Sequence, residues 1–534
     1  MNPREPYLRP VRVLLVHPEF PTTYWGFQHS LPFIGKRATL PPLGLLTLAA
    51  MLPRAWQVRV ADLNAAPLSD QDLLWADALL VGGMLVQAPS ALAVIRRARA
   101  LGRKTIVGGP AVTTSPSLFD EADHVFLGEA EGRIDAVVRA IEGGGEPRVL
   151  AALSDAKPDV SKSPPPRFEL VDLSRYQAMS VQYSRGCPYT CEFCDIIEMF
   201  GRVPRFKSPP QVLVELDALN ALGWRGPVFF VDDNFIGNKR AVKVLLPEVA
   251  RWQREHGFPF SFYTEASVNL AADAALLRMM VEAGFDSVFL GIETPSAESL
   301  RETKKAQNLV DLHQAVDTIT RAGLDVMGGF IVGFDTDGPE AFDAQREFIS
   351  TSPIPLAMVG LLTALPGTQL WRRLEREGRL RDTSDGDAFA RPNFETSMGE
   401  EPLLSGYREL MRDLYSAQGY YARCQRVIER VGAPVAGSRF QPRDLAPAAR
   451  AIVRIGILGE RRGHFWRLLA RSLRRGHHAV RRAFMFAIQG EHLIRYTEET
   501  VLPRIERALR QVREDPVPRA RRPATVRLPI VQGT

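Results

Sequence analysis

The chain has 534 residues, 45% of them hydrophobic, and carries 67 Lys and Arg against 61 Asp and Glu for a net charge of +6. A chain of that length divides into two to four domains and buries a core large enough to stand without disulfides. Three of its four cysteines crowd into eight positions, no apolar run approaches the roughly 18 residues of a membrane helix, and MNPREPYLRPVRVLLVH has no signal-peptide layout, which argues against a disulfide framework, a membrane span and export.

The first 150 residues alternate short apolar runs with helical patterns. Val11 to His17, Val58 to Asp62, Ala78 to Met84, Lys104 to Pro110 and His124 to Glu129 read as buried strands. Strands alternating with helices predict a parallel, doubly wound (Rossmann-like) α/β domain over 1–150. DAKPDVSKSPPPRFE is rich in Pro, Ser and Lys and predicts a linker over 151–176. Six further strand-like runs follow: SVQYS, GPVFFVDD, FSFYTEA, SVFLGIE, VMGGFIVGF and AMVGLLTALP. Six βα units fit a partial, TIM-like (βα)6 barrel over 177–392, with functional residues at the C-terminal ends of the strands. Asp232, Asp233, Glu265 and Glu293 fall there. After Pro392 the strand signal stops, and 393–534 reads as a helical C-terminal domain.

Cys187, Cys191 and Cys194 form C-x3-C-x2-C directly after the first strand of the second domain. Thiolates suit zinc or an iron–sulfur cluster. A structural zinc wants four protein ligands, and this segment offers three thiols and no histidine. Three thiolates holding a [4Fe–4S] cluster leave one iron open to a small molecule, so the spacing favours a reactive cluster over zinc or buried thiols. Cys424, alone in a helical pattern, reads as a small packed hydrophobe.

CPYTCEFC at the end of the first strand of a six-unit partial barrel resembles the radical S-adenosylmethionine (SAM) superfamily. The resemblance implies that the open iron binds SAM and that an electron cleaves it to a 5′-deoxyadenosyl radical. It carries Phe193 to the adenine, Asp232 and Asp233 of VFFVDDNF to the SAM amino group, Glu293 of GIETP to the ribose, and Gly329 and Gly333 of GGFIVGF to the adenine; Glu265 joins them at a strand end. VFFVDDNF is not the plain Gly-Gly-Glu form of that motif.

In the first domain, Gly82 and Gly83 follow one strand and Gly108 and Gly109 the next. This pair resembles the cobalamin-binding domain fused to many radical SAM enzymes, where such glycines line the tunnel for the nucleotide tail. HPEFPTTYWGF replaces the Asp-x-His-x-x-Gly of domains that coordinate cobalt, so no histidine ligand is expected from His17. Trp25, Phe27 and Phe33 of the same loop are candidates to cover the corrin or to pack a domain interface.

The combined architecture is similar to cobalamin-dependent radical SAM enzymes, closest to hopanoid 2-methylase-like lipid-modifying enzymes through CPYTCEFCDI, FFVDDNFIGN, GIETP and LPGTQLWRRLEREGRL. It implies a C-methyltransferase acting on a polycyclic or isoprenoid lipid, with a [4Fe–4S] cluster, SAM and cobalamin as cofactors and a ferredoxin or flavodoxin as electron donor. The alternatives are a ring-forming or oxidative radical enzyme on a lipid or tetrapyrrole, and a zinc- or cobalamin-binding module without catalysis. The segment from Arg461 to Phe484 holds many arginines and no acid. Read as one amphipathic helix with Phe465, Leu469, Leu473, Val480 and Phe484 on one side, it suits either contact with an anionic membrane surface or an arginine-rich solvated helix packed on the barrel. The expected location is cytoplasmic, with a peripheral position at the inner membrane face. Nucleic acid is an unlikely partner, with no recognisable binding module beside the basic stretch.

Overall fold

The first sheet of the chain buries an apolar cluster on each of its two faces. β1 (Arg12–His17), β2 (Gln57–Asp62), β3 (Ala78–Gly82), β4 (Lys104–Gly108), β5 (His124–Phe126) and β6 (Val149–Ala151) pair in parallel in the order β2-β1-β3-β4-β5-β6. The centres of β1, β3 and β4 are buried without interruption, as expected where helices cover both faces of a sheet. The computed structural model describes residues 10–152, 154, 156–382, 389–431 and 442–514. The short edge strand β6 has no distinctive sequence signal.

The second sheet runs in sequence order through Met179–Val181, Gly226–Phe230, Phe260–Ala266, Phe285–Glu293, Asp325–Val332 and Ala357–Leu361, all parallel. In the second, third, fifth and sixth of these, burial alternates strictly: one face lies buried under helices and the other is half-buried towards the barrel interior. The first strand is shorter than SVQYS suggested. Ser184–Arg185 leaves it to form a two-residue antiparallel ladder with Arg205–Phe206.

Residues of the expected linker form three short 3-10 turns whose side chains are built into the seam between the sheets. Phe168 is buried in the main core, and Ser163 Oγ donates to Glu131 Oε1 at 2.7 Å. The helical end contains Glu400–Leu414, Ala417–Arg430, Pro442–Ala451, Arg462–Leu473, His477–Tyr496 and Leu502–Glu514. Cys424 is fully buried on the second of these. The helix His477–Tyr496 lies across the base of the barrel, where Arg482 pairs with Asp325 at 3.1 Å.

The basic segment departs from its sequence reading. Gly476 (φ 94°) divides it into two helices that form a hairpin, and Phe465 meets Phe484 across it at 5.9 Å between ring centroids. Phe465 and Leu469 are buried, whereas Leu473 is exposed. The apolar residues therefore do not make one outward stripe, because a glycine in left-handed conformation turns the chain back midway.

Candidate functional site

The two-residue ladder closes the base of a loop, 186–204, that presents Cys187, Cys191 and Cys194. Gly186 (φ 94°) permits this: a Cβ there would stand 2.9 Å from the carbonyl oxygen of Gly201. The Gly186 N–H donates to Asp233 Oδ2 at 2.8 Å, and the Cys187 N–H to the Gly201 carbonyl at 3.3 Å. Two side-chain amides approach the sulfurs, Asn234 Nδ2 at 3.9 Å from Cys187 Sγ and Gln307 Nε2 at 3.6 Å from Cys191 Sγ. Burial pushes the Cys187 and Cys194 thiols up. Among the described residues, no three His, Cys, Asp or Glu side chains are drawn together around a single metal ion. Tetrahedral zinc would need sulfurs within about 3.8 Å of each other, from a Zn–S bond of about 2.3 Å. Three thiols presented by one loop are the donor set of a cluster, whereas a structural zinc takes four protein ligands.

The acidic residues at the strand ends have separate tasks. Asp232 is buried and accepts from the N–H groups of Tyr183 and Ser184 and from Ser184 Oγ, so it fixes the exit of the first barrel strand. Burial pushes its pKa to about 7, and that of Asp233 to about 6. Glu265 lies inside the barrel. Burial first, then the neighbouring Asp233, Asp232 and Glu293, push it to about 8. Glu293 sits at a positive φ of 66° and forms a buried ion pair with Lys305, whose Nζ lies 5.8 Å from the Phe193 ring centroid. Lys305 had no part in the sequence reading. Its signal was its place after the strand motif, in GIETPSAESLRETKK, too common a basic pair to single out.

Phe193 packs towards Phe334, 6.3 Å away between centroids. Gly329 leaves room for Phe289, whose Cζ would be 2.7 Å from an added Cβ, and Gly333 (φ 99°) faces Leu403 of the helical region. The inward-facing positions of the barrel strands carry Phe229, Tyr263, Phe289, Met327 and Met358, all half-buried. Phe229 and Tyr263 stack at 4.6 Å, and Trp25 from the first domain's long loop meets Phe289 at 5.0 Å. Phe27 and Phe33 from that loop are buried instead, Phe27 against His492.

In the first domain the four glycines come together at the ends of β3 and β4. Gly109 adopts φ 90° and ψ −172°, and a Cβ there would stand 3.6 Å from the Gly83 backbone. His17 faces Asp62 through Nδ1 (3.2 Å) and Gln87 through Nε2 (3.2 Å), so both ring nitrogens have protein partners. The helix Pro110–Thr114, which Gly109 opens, packs on Ile196–Phe200, the helix after Cys194. A buried clamp secures this seam: Arg185 pairs with Glu129 and Glu131 at 2.7 Å each, and Arg205 pairs with Glu129 at 3.0 Å. Glu129 and Glu131 follow β5 in LGEAEG and were passed over in the sequence, where lone loop acids carry little signal. The glycine-lined end of the first sheet thus faces the cysteine loop and the barrel mouth.

Fold and site define a class of two-cofactor enzyme, a doubly wound domain set against a partial barrel that carries three cysteines in one loop. Residues 181–349 match the radical SAM superfamily, 37–138 a B12 binding domain, and 368–506 a domain of unknown function (DUF4070). The chain is 42% identical to an uncharacterized methyltransferase of Synechocystis sp., over 91% of this chain and 92% of that protein. It is 35% identical to the hopanoid C-2 methylase of Rhodopseudomonas palustris, over 91% of this chain and 94% of that one. Among solved structures, the cobalamin-dependent SAM radical enzyme OxsB with aqua-cobalamin bound shares the fold, with a TM-score of 0.57 at 15% identity over 95% of this chain and 84% of that one. The chain belongs to the cobalamin-dependent radical SAM methyltransferases. Its cofactors are therefore a [4Fe–4S] cluster, SAM and cobalamin, and its reaction class is methyl transfer to carbon.

Proposed function

We propose that this enzyme methylates an unactivated carbon of a polycyclic or isoprenoid lipid such as a hopanoid. The observation that carries the reading is the similarity to a hopanoid C-2 methylase along nearly the whole of both chains, the helical end included. The aromatic and methionine lining of the barrel supports it, since an apolar substrate gains about 25 cal/mol per Å² of surface removed from water.

In this reading Cys187, Cys191 and Cys194 hold the cluster, and Asn234 and Gln307 donate to two of their sulfurs. Hydrogen bonds to cluster sulfurs tune the potential. Asp232 and Asp233 brace the loop from the second strand through the N–H groups of Tyr183, Ser184 and Gly186, where the amino end of SAM would lie. Lys305 and Glu293 hold a paired cation and anion beside Phe193, suited to the carboxylate and ribose hydroxyls of one ligand. Gly82, Gly83, Gly108 and Gly109 provide the close backbone approach that a bulky nucleotide tail needs. When bound, the cofactors supply a carbon radical and a methyl donor, chemistry outside the reach of protein side chains. The electron comes from a small redox protein such as a ferredoxin or flavodoxin, and the lipid is met at a membrane surface.

The test is heterologous production in a bacterium that makes hopanoids but lacks a C-methylase, with lipids read by gas chromatography–mass spectrometry. A lipid heavier by one methylene, absent with Cys191→Ala, supports the assignment. An unchanged profile across polycyclic and isoprenoid lipids removes it.

A further inference from the structure

Exposed large apolar side chains normally scatter singly. Here several gather in one stretch of the helical region. After the helix Pro442–Ala451 the chain makes a π-helical turn, Ile452–Ile457, before the helix Arg462–Leu473. Val453, Ile457 and Leu458 are 47%, 57% and 73% exposed, and Trp466 on the next helix is 44% exposed. They adjoin one another: Trp466 Nε1 donates to the Gly456 carbonyl at 2.8 Å, and the Trp466 ring would lie 3.2 Å from a Cβ on Gly456. The π turn brings this about, since Ile455 and Gly456 are buried against Phe465 while their neighbours point out.

The rim of this patch is cationic. Arg454, Arg462, Arg467, Arg471 and Arg474 are exposed around it, and among the described residues none of them forms an ion pair. On the helix, Arg467, Arg471 and Arg474 follow i, i+4, i+7 spacing and share one stripe, with Trp466 on the stripe beside it. From Arg450 to Met485 the only acid is Glu460. An apolar patch with an indole at its edge and guanidinium groups around it matches the boundary of an anionic bilayer: apolar side chains enter the acyl region, Trp sits at the headgroups and arginines meet phosphates.

We propose that Val453, Ile457, Leu458 and Trp466, with the surrounding arginines, dock this enzyme on an anionic phospholipid membrane. The inference deepens the lipid reading above and rests on it for its purpose: a substrate insoluble in water has to be taken from a bilayer. The same face touches the loop that reaches the barrel. Arg450 Nη1 donates to the Phe33 carbonyl at 2.8 Å, and the Arg454 guanidinium lies 5.5 Å from the Phe33 ring. Eight residues earlier on that loop, Trp25 packs on Phe289 of the barrel lining. The docking face and the substrate chamber are thus joined by one short segment.

The experiment is sedimentation of the full-length protein with vesicles of phosphatidylglycerol and phosphatidylcholine (1:1) or of phosphatidylcholine alone. Wild type is expected to bind the anionic vesicles and to release them as salt rises. Each arginine near such a surface is worth roughly fivefold, so Arg462→Ser/Arg467→Ser/Arg471→Ser should weaken binding on the order of 100-fold. Ile457→Ser/Leu458→Ser, exposed positions that leave the core untouched, should weaken it by a similar order. Both variants should keep wild-type methyl transfer to detergent-solubilised lipid. Wild type that ignores anionic vesicles, or variants that bind like wild type, overturn the proposal. So does a dimer in solution that Ile457→Ser/Leu458→Ser dissociates, which would make this face a contact between copies. If vesicle binding follows the pattern but no lipid is ever methylated, the substrate reading fails and the docking surface stands.

Discussion

Replacing Lys305 with Met removes the cation from a buried pair and leaves Glu293 alone at a backbone position of positive φ. The side chains of Lys305 and Glu293 are only 11% and 9% exposed, so solvent does little to screen the orphaned carboxylate. Breaking a buried pair on one side costs about 3–5 kcal/mol. The loss falls on the end of the fourth barrel strand and on the turn that holds Lys305, where Asn308 Nδ2 donates to the carbonyls of Gly291 and Ile292 at 2.8 and 2.9 Å. Local opening there should become roughly 150- to 5,000-fold more frequent. Hydrogen exchange read by mass spectrometry on peptides covering 285–293 and 305–308 measures this directly, with the peptides of the first sheet as an internal standard. Lys305→Met/Glu293→Gln removes the stranded charge and should recover at least half of the lost protection. Unchanged exchange in the single variant, or a double variant no better protected than the single, would refute the account of a desolvated, coupled pair.

Glu265 makes apoprotein stability fall with rising pH. Its folded pKa of about 8 lies above the ordinary carboxyl value, so between about pH 4 and 8 the folded state binds more protons than the unfolded one. Chemical denaturation should show more stability at pH 6 than at pH 9, and Glu265→Gln should flatten that slope. At Gly109, φ 90° and ψ −172° belong to a region essentially reserved for glycine, with a cost of about 1–3 kcal/mol for other residues. Gly109→Val should therefore lower cobalamin retention on gel filtration and leave the iron content unchanged. Arg185→Met leaves Glu131 without its cation at the seam, so trypsin should cut between the two sheets sooner than in wild type, while Arg97→Met, which breaks an exposed pair with Asp70, should not change the rate.

Much of this arrangement was legible because the local signals are strong. Short apolar runs separated by helical patterns marked the strands of both the first sheet and the barrel. The cysteine spacing stood out because thiols are scarce in this chain. What escaped notice depends on contacts between distant segments. Lys305 acquires its role only when a turn brings it back to Glu293. Glu129, Glu131, Arg185 and Arg205 are ordinary charged residues until two domains close on them. The basic segment was misread for a local reason: a helical wheel treats the chain as continuous through Gly476, and the turn there moves Phe465 and Phe484 inward against each other. The outward apolar patch rests on a π turn, whose altered period shifts Ile457 and Leu458 off the face that a 3.6-residue repeat assigns. Where the structure puts Leu403 against Gly333, the glycine also serves packing between barrel and helices, a use the motif does not reveal.

The central claim is tested most directly by an anaerobic reaction of the reconstituted enzyme with cobalamin, a low-potential reductant, methyl-deuterated SAM and a hopanoid-containing lipid extract. The account predicts one lipid gaining a single labelled methyl group, with 5′-deoxyadenosine and S-adenosylhomocysteine formed in equal amounts and both products lost in Cys187→Ala. Deoxyadenosine formed without homocysteine product or label, in the presence of bound cobalamin and lipid, would contradict it and point to ring formation or oxidation instead.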